Sequence, residues 1–201
     1  MGFGAILLAY LLGSIPFGLI VVRLMRGEDV RLSGSGNIGA TNVNRAAGPI
    51  AGTLTLLLDA AKGWVAVWLA AMLTNNNQLA VSAAALAALV GHAFSIWLRL
   101  LDGKFSGGKA VATFLGVFGY LAPVPLLAVA VVFAVVVAST RYVSLASICG
   151  AGLFPIACWM ILHPDWHVLA AATAAAVLVI WRHSANIQRI RAGEERVFRF
   201  K

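Results

Sequence analysis

Charge and cysteine are scarce in this sequence. Only 11% of its 201 residues are charged, and only seven of those are acidic. Both cysteines, Cys149 and Cys158, fall in an apolar stretch without a CxxC motif or a Cys/His cluster, which argues against a disulfide or a metal site. The few aspartates are widely separated, which disfavours the carboxylate-bound divalent metal of a phospholipid phosphotransferase. They are Asp29, Asp59, Asp102 and Asp165.

What the sequence has in abundance is apolar residues. They make up 61% of the chain, and the mean hydropathy is +0.92. Apolar runs occur at 3–24, 50–73, 79–101, 110–122, 124–139, 144–162 and 167–185. Most are close to the ~20 residues that an α-helix needs to cross a bilayer. We therefore predict an all-α integral membrane protein with one domain, residues 1–201, formed by seven transmembrane helices. Pro123 and Pro125 predict one or two short or broken spans in this region.

The distribution of Lys and Arg predicts the orientation of these spans. With the N-terminus outside and seven spans, the outer connections are 75–78, 123–125 and 163–166, and none contains Lys or Arg. All 15 basic residues then lie on the cytoplasmic side, as does the C-terminus. The net charge of +8 is therefore explained by membrane topology and does not indicate a nucleic-acid partner.

The first loop, residues 33–42, combines glycines with hydroxyl and amide side chains and is followed by Arg45. Glycines let backbone N–H groups approach an anion closely, and a guanidinium forms a planar fork that suits phosphate. A flexible linker is the alternative, but linkers seldom combine this many Asn and Thr residues with Arg. The expected ligands are Gly34, Ser35, Gly36, Asn37, Gly39, Thr41, Asn42 and Arg45.

Two further segments could bind anions. The second loop, residues 103–113, runs through Gly107, Gly108 and Lys109 into the fourth span, and a helix N-terminus beside a lysine favours anions. The third cluster, residues 181–195, carries His183 and Asn186 at helical spacing. An ordinary turn with snorkelling lysines and a basic topology anchor are the respective alternatives.

Ionisable residues also occur inside the apolar runs. Asp59 and Lys62 are spaced i,i+3, which predicts a mutual ion pair. His92 is a candidate functional residue because ionisable groups within spans are costly, although a histidine bonded to a neighbour is an equal alternative.

These motifs together resemble the bacterial membrane glycerol-3-phosphate acyltransferases that take their acyl group from acyl phosphate. The resemblance covers nearly the whole chain. It includes the first loop with Arg45, the segment 59–63, Gly91 with His92, the second loop, the segment 141–147 that contains Arg141 and Ser144, and the third cluster. The sequence departs from the family pattern in the second loop, where Ser106 replaces a lysine, Ala110 replaces a glycine and extra residues occur around 101–104. Lys104 is a candidate replacement for the missing lysine. In the third cluster, Glu195 is the matching acid.

The resemblance implies acyl transfer from acyl phosphate to the 1-hydroxyl of glycerol 3-phosphate, giving lysophosphatidic acid and phosphate. It implies an enzyme in the bacterial cytoplasmic membrane with its active site on the cytoplasmic face and membrane lipid around it. No cofactor, metal, nucleic acid or obligate protein partner is expected. The predicted catalytic residues are Ser35, Arg45, Lys109, His183 and Asn186. The predicted substrate-binding residues are Gly34, Gly36, Asn37, Gly39, Thr41, Asn42, His92, Lys104, Gly107, Gly108, Arg141, Ser144, Arg189 and Glu195.

The chemistry leaves the proton acceptor open. The glycerolipid acyltransferase motif, His followed five residues later by Asp, is absent from the sequence. Positioning and electrostatic stabilisation are therefore the expected catalytic means, with a histidine (His92 or His183) or a substrate phosphate taking the hydroxyl proton. A small transporter for a phosphorylated solute is the alternative function. The helix break near Pro123 and the glycine-rich loops favour it, but the polar residues gather at one surface instead of mid-membrane.

Overall fold

The computed structural model describes residues 1–197, so the last four residues of the predicted domain lie outside it. The described chain is helical throughout, apart from loops and one isolated bridge between Ser95 and Ser106. Its helices are α1 (Gly2–Gly13), α2 (Phe17–Arg26), α3 (Ala40–Ala47), α4 (Pro49–Leu73), α5 (Gln78–Ala93), α6 (Ile96–Asp102), α7 (Val111–Leu121), α8 (Pro123–Thr140), α9 (Val143–Leu162), α10 (Trp166–Arg182) and α11 (Ser184–Arg191). A short 3-10 helix, Val30–Leu32, precedes the first loop. The chain divides into two compact units, Met1–Leu121 and the residues from Ala122 onward.

Glycines bring the helices of the first unit into close contact. A methyl group on Gly13 of α1 would lie 2.1 Å from the carbonyl oxygen of Ala88 in α5. One on Gly116 of α7 would lie 1.8 Å from the carbonyl oxygen of Ala60 in α4. Small residues are the usual means of helix association in a membrane, because lipid tails leave little hydrophobic driving force between helices. These contacts hold α1 against α5 and α4 against α7.

The first apolar run is broken between α1 and α2 at Pro16, which has no N–H to continue the helical hydrogen bonds. Three side chains donate hydrogen bonds to the carbonyl oxygens at this break. Lys62 Nζ donates to Ile15 O at 2.7 Å, and Ser95 Oγ donates to Ser14 O at 2.5 Å. Trp97 Nε1 donates to Leu11 O at 3.1 Å. The break is therefore satisfied by α4 and by the segment that begins α6, as a non-helical segment at membrane depth requires.

The second unit is built around α9. This helix packs against both α8 and α10. Between α10 and α11 the chain bends by 54° at His183. The bend places the polar residues of α11 at the end of an apolar helix.

The predicted apolar runs correspond to helices, but their lengths differ. Four helical segments are long and apolar enough to span a membrane, or five if α10 and α11 form one bent span. The four are Gly2–Arg26, Pro49–Leu73, Pro123–Thr140 and Val143–Leu162. Two shorter apolar helices, Gln78–Ala93 and Val111–Leu121, lie in the predicted runs 79–101 and 110–122, and the first of these runs is broken between Ala93 and α6. The region around Pro123 contains two helices separated at Ala122.

Candidate active site

Asn42 organises the first loop from inside. Its Nδ2 lies 3.2, 3.0 and 2.9 Å from the carbonyl oxygens of Val30, Ser33 and Asn37, and its Oδ1 accepts a hydrogen bond from the Ser35 N–H at 2.9 Å. The side chain is buried. Asn42 was predicted as a substrate ligand, whereas the structure places its amide within the loop, where it fixes the backbone path.

The rest of the first loop presents polar groups outward. Gly34 and Gly36 have φ values of +60° and +69°, which glycine adopts without strain. Asn37 Oδ1 accepts from the Gly39 N–H at 2.8 Å and so tightens the turn into α3. Thr41 and Arg45 lie one turn apart on α3, so they share a helix face. The loop residues Gly34, Ser35 and Gly36, together with Arg45, are exposed.

Arg31 joins the two loops of the first unit. Its Nε and Nη2 lie 2.9 and 2.6 Å from the carboxylate oxygens of Asp29, and its Nη1 contacts Asp102, which precedes the second loop. The hydrogen bond from Arg31 lowers the pKa of Asp29 to about 2. Arg31 thus forms ion pairs with two carboxylates and links the segment before the first loop to the segment before the second. Sequence reasoning missed this residue, because no local pattern links it to Asp102.

Two backbone hydrogen bonds hold the middle of the second loop in place. The Ser95 N–H donates to Ser106 O at 2.9 Å, and the Gly108 N–H donates to His92 O at 3.0 Å. Lys109 is half-buried, and Ala110, which follows it, is buried with a φ of +61°. Lys104 is exposed.

A buried polar cluster lies among α4, α5 and α7. Lys62 Nζ is 2.7 Å from Asp59 Oδ1, which confirms the predicted ion pair. His92 Nδ1 is 3.7 Å from the same oxygen and 3.0 Å from Thr113 Oγ1. The sequence indicated the members of the pair and His92 separately. It placed Thr113 in the second loop and not in this cluster, and it gave no signal that the three helices meet.

In the second unit, the carboxylate of Glu195 accepts hydrogen bonds from three of the predicted residues. Its Oε1 accepts from Ser144 Oγ at 3.0 Å and from Asn186 Nδ2 at 2.7 Å, and its Oε2 accepts from Arg189 Nε at 3.0 Å. Burial alone raises the pKa of Glu195, but these hydrogen bonds outweigh it and the net pKa is lowered. The carboxylate therefore stays ionised and fixes the side chains around it.

The orientation of two neighbouring side chains follows from their partners. A carboxylate only accepts hydrogen bonds, so Asn186 must turn its NH₂ group to Glu195. This leaves Asn186 Oδ1 as a buried acceptor with no hydrogen-bond partner within residues 1–197. His183 Nδ1 lies 2.7 Å from Val179 O, which also only accepts, so Nδ1 carries a proton, and in the neutral ring Nε2 is then an acceptor. Arg141, at the C-terminal end of α8, is exposed.

The predicted residues thus form two sets, one in each unit. The first set contains both glycine-rich loops, which Arg31 connects, and the cluster of His92 beneath the second loop. The second set contains Ser144, Asn186, Arg189 and Glu195, with His183 at the bend before α11. Across residues 1–197 there is no group of three or more His, Cys, Asp or Glu side chains that could hold a metal ion.

The fold and these sets of residues define an all-helical integral membrane protein whose polar side chains are concentrated in loops and at helix ends. The family model for glycerol-3-phosphate acyltransferase matches residues 3–193. The chain belongs to this family.

Relatives and solved structures agree with this assignment. The glycerol-3-phosphate acyltransferase of Syntrophotalea carbinolica is 45% identical over 194 residues, with 96% of each chain covered. That of Desulforamulus reducens is 45% identical over 188 residues, covering 93% of this chain and 90% of the relative. The crystal structure of PlsY (YgiH), an integral membrane glycerol 3-phosphate acyltransferase, in its glycerol 3-phosphate form matches with a TM-score of 0.90 and 36% identity, covering 98% of this chain and 96% of that one. Its lysophosphatidic acid form matches with a TM-score of 0.88 and 34% identity, covering 98% of this chain and 95% of that one.

Proposed function

We propose that this enzyme transfers a fatty acyl group from acyl phosphate to the 1-hydroxyl of sn-glycerol 3-phosphate. The products are 1-acylglycerol 3-phosphate (lysophosphatidic acid) and inorganic phosphate. The relatives' acyltransferase activity on glycerol 3-phosphate is the starting point, and the acyl-phosphate donor is the more specific part of the proposal.

The observation that carries the proposal is the architecture of the first loop. The side-chain amide of Asn42 forms hydrogen bonds with the loop backbone, and these bonds hold the loop in a conformation that leaves Ser35 exposed. Arg45 and Thr41 on one face of α3 add a guanidinium and a hydroxyl at the end of the same loop. A pre-formed loop of this kind binds phosphate without first having to be ordered.

The presence of a second cationic loop supports acyl phosphate as the donor. Both proposed substrates carry a phosphate, so two anions must approach one acyl carbonyl, and that repulsion has to be offset. Lys109 and the glycine backbone of the second loop provide a second anion site, and Arg31 and Asp102 connect it to the first. Phosphate is also a good leaving group near neutral pH, so no strong general acid is required.

In the proposed reaction, the glycerol 1-hydroxyl oxygen attacks the acyl carbonyl carbon. The new C–O bond forms, the bond between the carbonyl carbon and the phosphate oxygen breaks, and inorganic phosphate leaves with that bond's electron pair. Ser35, Asn37, Arg45 and Lys109 are proposed to bind the phosphates and to stabilise the charge on the developing oxyanion.

Within the second unit, His183 and Asn186 are proposed to contact a substrate hydroxyl group. Asn186 Oδ1 and His183 Nε2 are both acceptors, so either can take a hydrogen bond from a glycerol O–H. Glu195 is a weak base because its hydrogen bonds lower its pKa. We therefore assign it the task of holding Asn186, Ser144 and Arg189. The hydroxyl proton goes to His183 Nε2 or to a substrate phosphate.

We also propose seven membrane spans, with the N-terminus outside and the C-terminus and active site on the cytoplasmic side of the bacterial inner membrane. This count is reached if α1 with α2 forms one span, α10 with α11 forms another, and the shorter helices α5 and α7 each cross. The positive-inside distribution of Lys and Arg supports this orientation.

The proposal is tested by measuring phosphate release from palmitoyl phosphate by the purified protein in lipid, with and without glycerol 3-phosphate. We expect release that depends on glycerol 3-phosphate and yields lysophosphatidic acid. In Arg45→Ala, we expect kcat/KM to fall by about 10²–10³-fold, because a charge-assisted contact to phosphate is lost. Absence of turnover by folded wild-type protein would refute acyl phosphate as the donor.

The same assay distinguishes the two proton acceptors through His183→Ala. If His183 takes the proton, kcat falls by roughly 10²–10⁴-fold with little change in KM. If kcat is nearly unchanged, the proton goes to the substrate phosphate. Arg191→Ala, which removes an exposed cation of α11 that is not among the proposed site residues, serves as a matched control for Arg45→Ala.

A further inference from the structure

The backbone of the second loop lies directly on His92. Besides the hydrogen bond from the Gly108 N–H to His92 O, the two glycines leave no free space above this residue. A methyl group on Gly108 would lie 2.0 Å from His92 Nε2, and one on Gly107 would lie 2.3 Å from His92 O. Cβ atoms essentially never approach other atoms closer than 3.0 Å. The loop therefore rests on both the ring and the carbonyl group of His92.

His92 is in turn held by the helices beneath it. Thr113 Oγ1 lies 3.0 Å from its Nδ1, and Asp59 Oδ1 lies 3.7 Å from the same atom. Asp59 is paired with Lys62, which also donates to Ile15 O at the break between α1 and α2. The ring is thus connected to α4, α7 and the broken first helix, and only 3% of His92 is exposed.

The residues after the glycines are held as well. Lys109 is followed by Ala110 in a left-handed conformation, and Thr113, which bonds to His92, lies in the first turn of α7. Because glycine backbones are intrinsically flexible, a loop with two adjacent glycines loses much entropy when it binds an anion. A rigid support under these glycines removes most of that cost before the anion arrives.

We propose that His92 is a positioning residue for the second loop. It sets the path of the backbone at 107–109, and hence the place of Lys109, from beneath the loop and without contacting substrate. This inference rests on the proposed phosphate-binding role of that loop. It assigns His92 a different task from the direct substrate contact expected from the sequence.

Steric complementation tests the contact between His92 and Gly108. Gly108→Ala adds a methyl group that collides with His92 Nε2 and lifts the loop. Asparagine at position 92 keeps a polar group near Nδ1 for Thr113 but removes the ring atoms near Gly108. We expect inorganic phosphate, measured by calorimetry on the purified protein, to bind Gly108→Ala at least about tenfold more weakly than wild type. In His92→Asn/Gly108→Ala, we expect affinity to return to the level of His92→Asn alone.

Kinetics and a matched glycine variant separate positioning from general loss of structure. KM is expected to rise in Gly108→Ala with a smaller change in kcat, and to recover in the double variant. Gly4→Ala is the control, because a methyl group on Gly4 meets no atom within 4 Å. If Gly108→Ala binds phosphate like wild type, or the double variant binds no better than Gly108→Ala, the inference is wrong.

Two variants keep the test decisive if Gly108→Ala does not fold. His92→Asn and Thr113→Val each loosen the support without adding bulk, and each should weaken phosphate binding several-fold. If both bind phosphate as wild type does, the inference is overturned. If wild type binds phosphate but does not turn over palmitoyl phosphate, the proposed reaction fails while the role of His92 still stands on the binding data. If wild type binds no phosphate, the inference fails as well.

Discussion

Ala110 is a buried alanine in a conformation that favours glycine. Its φ of +61° places it in the left-handed region, directly after Lys109 and before α7. Such a conformation costs a non-glycine residue of the order of 1 kcal/mol or more. The methyl group is fully buried, and burying it contributes about 0.8 kcal/mol. Two effects of similar size therefore oppose each other at this position.

We expect Ala110→Gly to be nearly neutral in stability. Relief of strain, about 1 kcal/mol, is offset by loss of the buried methyl group and by about 0.4–1 kcal/mol of added flexibility in the unfolded chain. The midpoint of thermal unfolding in detergent should shift by no more than about 4 °C.

Ala85→Gly is the matched control for this prediction. Ala85 is equally buried but lies in the middle of α5, where no strain is relieved. It should lose about 0.8 kcal/mol of burial and about 1 kcal/mol of helix propensity. Equal losses of stability in the two variants would show that Ala110 carries no strain.

At the scale of the element, the broken first helix depends on a partner from α4. Lys62 Nζ bonds both to Asp59 and to the carbonyl oxygen of Ile15, and the lysine and the aspartate are almost completely buried. Removing the ammonium group leaves a buried carboxylate and a buried carbonyl group without their donor. Breaking a buried ion pair from one side typically costs about 3–5 kcal/mol.

We therefore expect Lys62→Met to be strongly destabilised in thermal unfolding. In Asp59→Asn/Lys62→Met, the uncompensated charge is also removed, so the double variant should be more stable than Lys62→Met. It should remain below wild type, because Ile15 O still lacks its donor. Lys104→Met, at an exposed lysine, should change stability by no more than about 0.5 kcal/mol. A double variant less stable than Lys62→Met would contradict this account.

The elements also show which parts of the fold the sequence could predict. Long apolar runs predicted α4, α9 and α10 well, because a helix in lipid must satisfy its own backbone and remain apolar for ~20 residues. The break at Pro16 lies within a single apolar run, and its stability depends on residues up to 86 positions away. Helix α3 could not be predicted from the sequence, because its residues are polar and it begins within the glycine-rich segment.

The candidate site could be proposed from the sequence as a list of residues, but its arrangement could not. The glycine-rich loops and the third cluster were recognisable from their composition and family resemblance. That Asn42 bonds within its own loop, and that Glu195 gathers Ser144, Asn186 and Arg189, depends on side-chain geometry. The connection from Arg31 to Asp102 joins residues 71 positions apart, and a sequence pattern carries no signal for such a contact.

At the scale of the whole molecule, the proposed seven-span topology predicts which positions face each side of the membrane. We expect cysteines introduced at Asn76 and Pro164 to react with a membrane-impermeant thiol reagent added outside intact cells. Cysteines introduced at Glu28 and Glu194 should react only after the membrane is opened. Cys149 and Cys158 should first be replaced by alanine to provide a silent background.

The pattern of labelling decides the number of spans. If only one of α5 and α7 crossed, position 164 would lie inside. A further cysteine at Lys104, between these helices, separates seven spans from five, because it should be protected from outside if both cross and labelled from outside if neither does. Labelling of position 28 from outside would contradict the proposed orientation. Activity of each cysteine variant in the phosphate-release assay shows that the labelled protein is native.

The shortness of α7 has a consequence for the bilayer around it. Its 11 residues rise about 17 Å, little more than half of a hydrocarbon layer of about 30 Å. In the proposed topology, one of its two ends must therefore lie below the headgroups. The second loop, with its two lysines and many N–H groups, is poorly suited to such depth. The opposite end is better suited, because Ala122 is fully buried and Pro123 and Pro125 have no N–H to leave unsatisfied. In this topology the outer turn at 122–125 therefore lies below the level of the lipid headgroups, out of reach of solutes in the outside water.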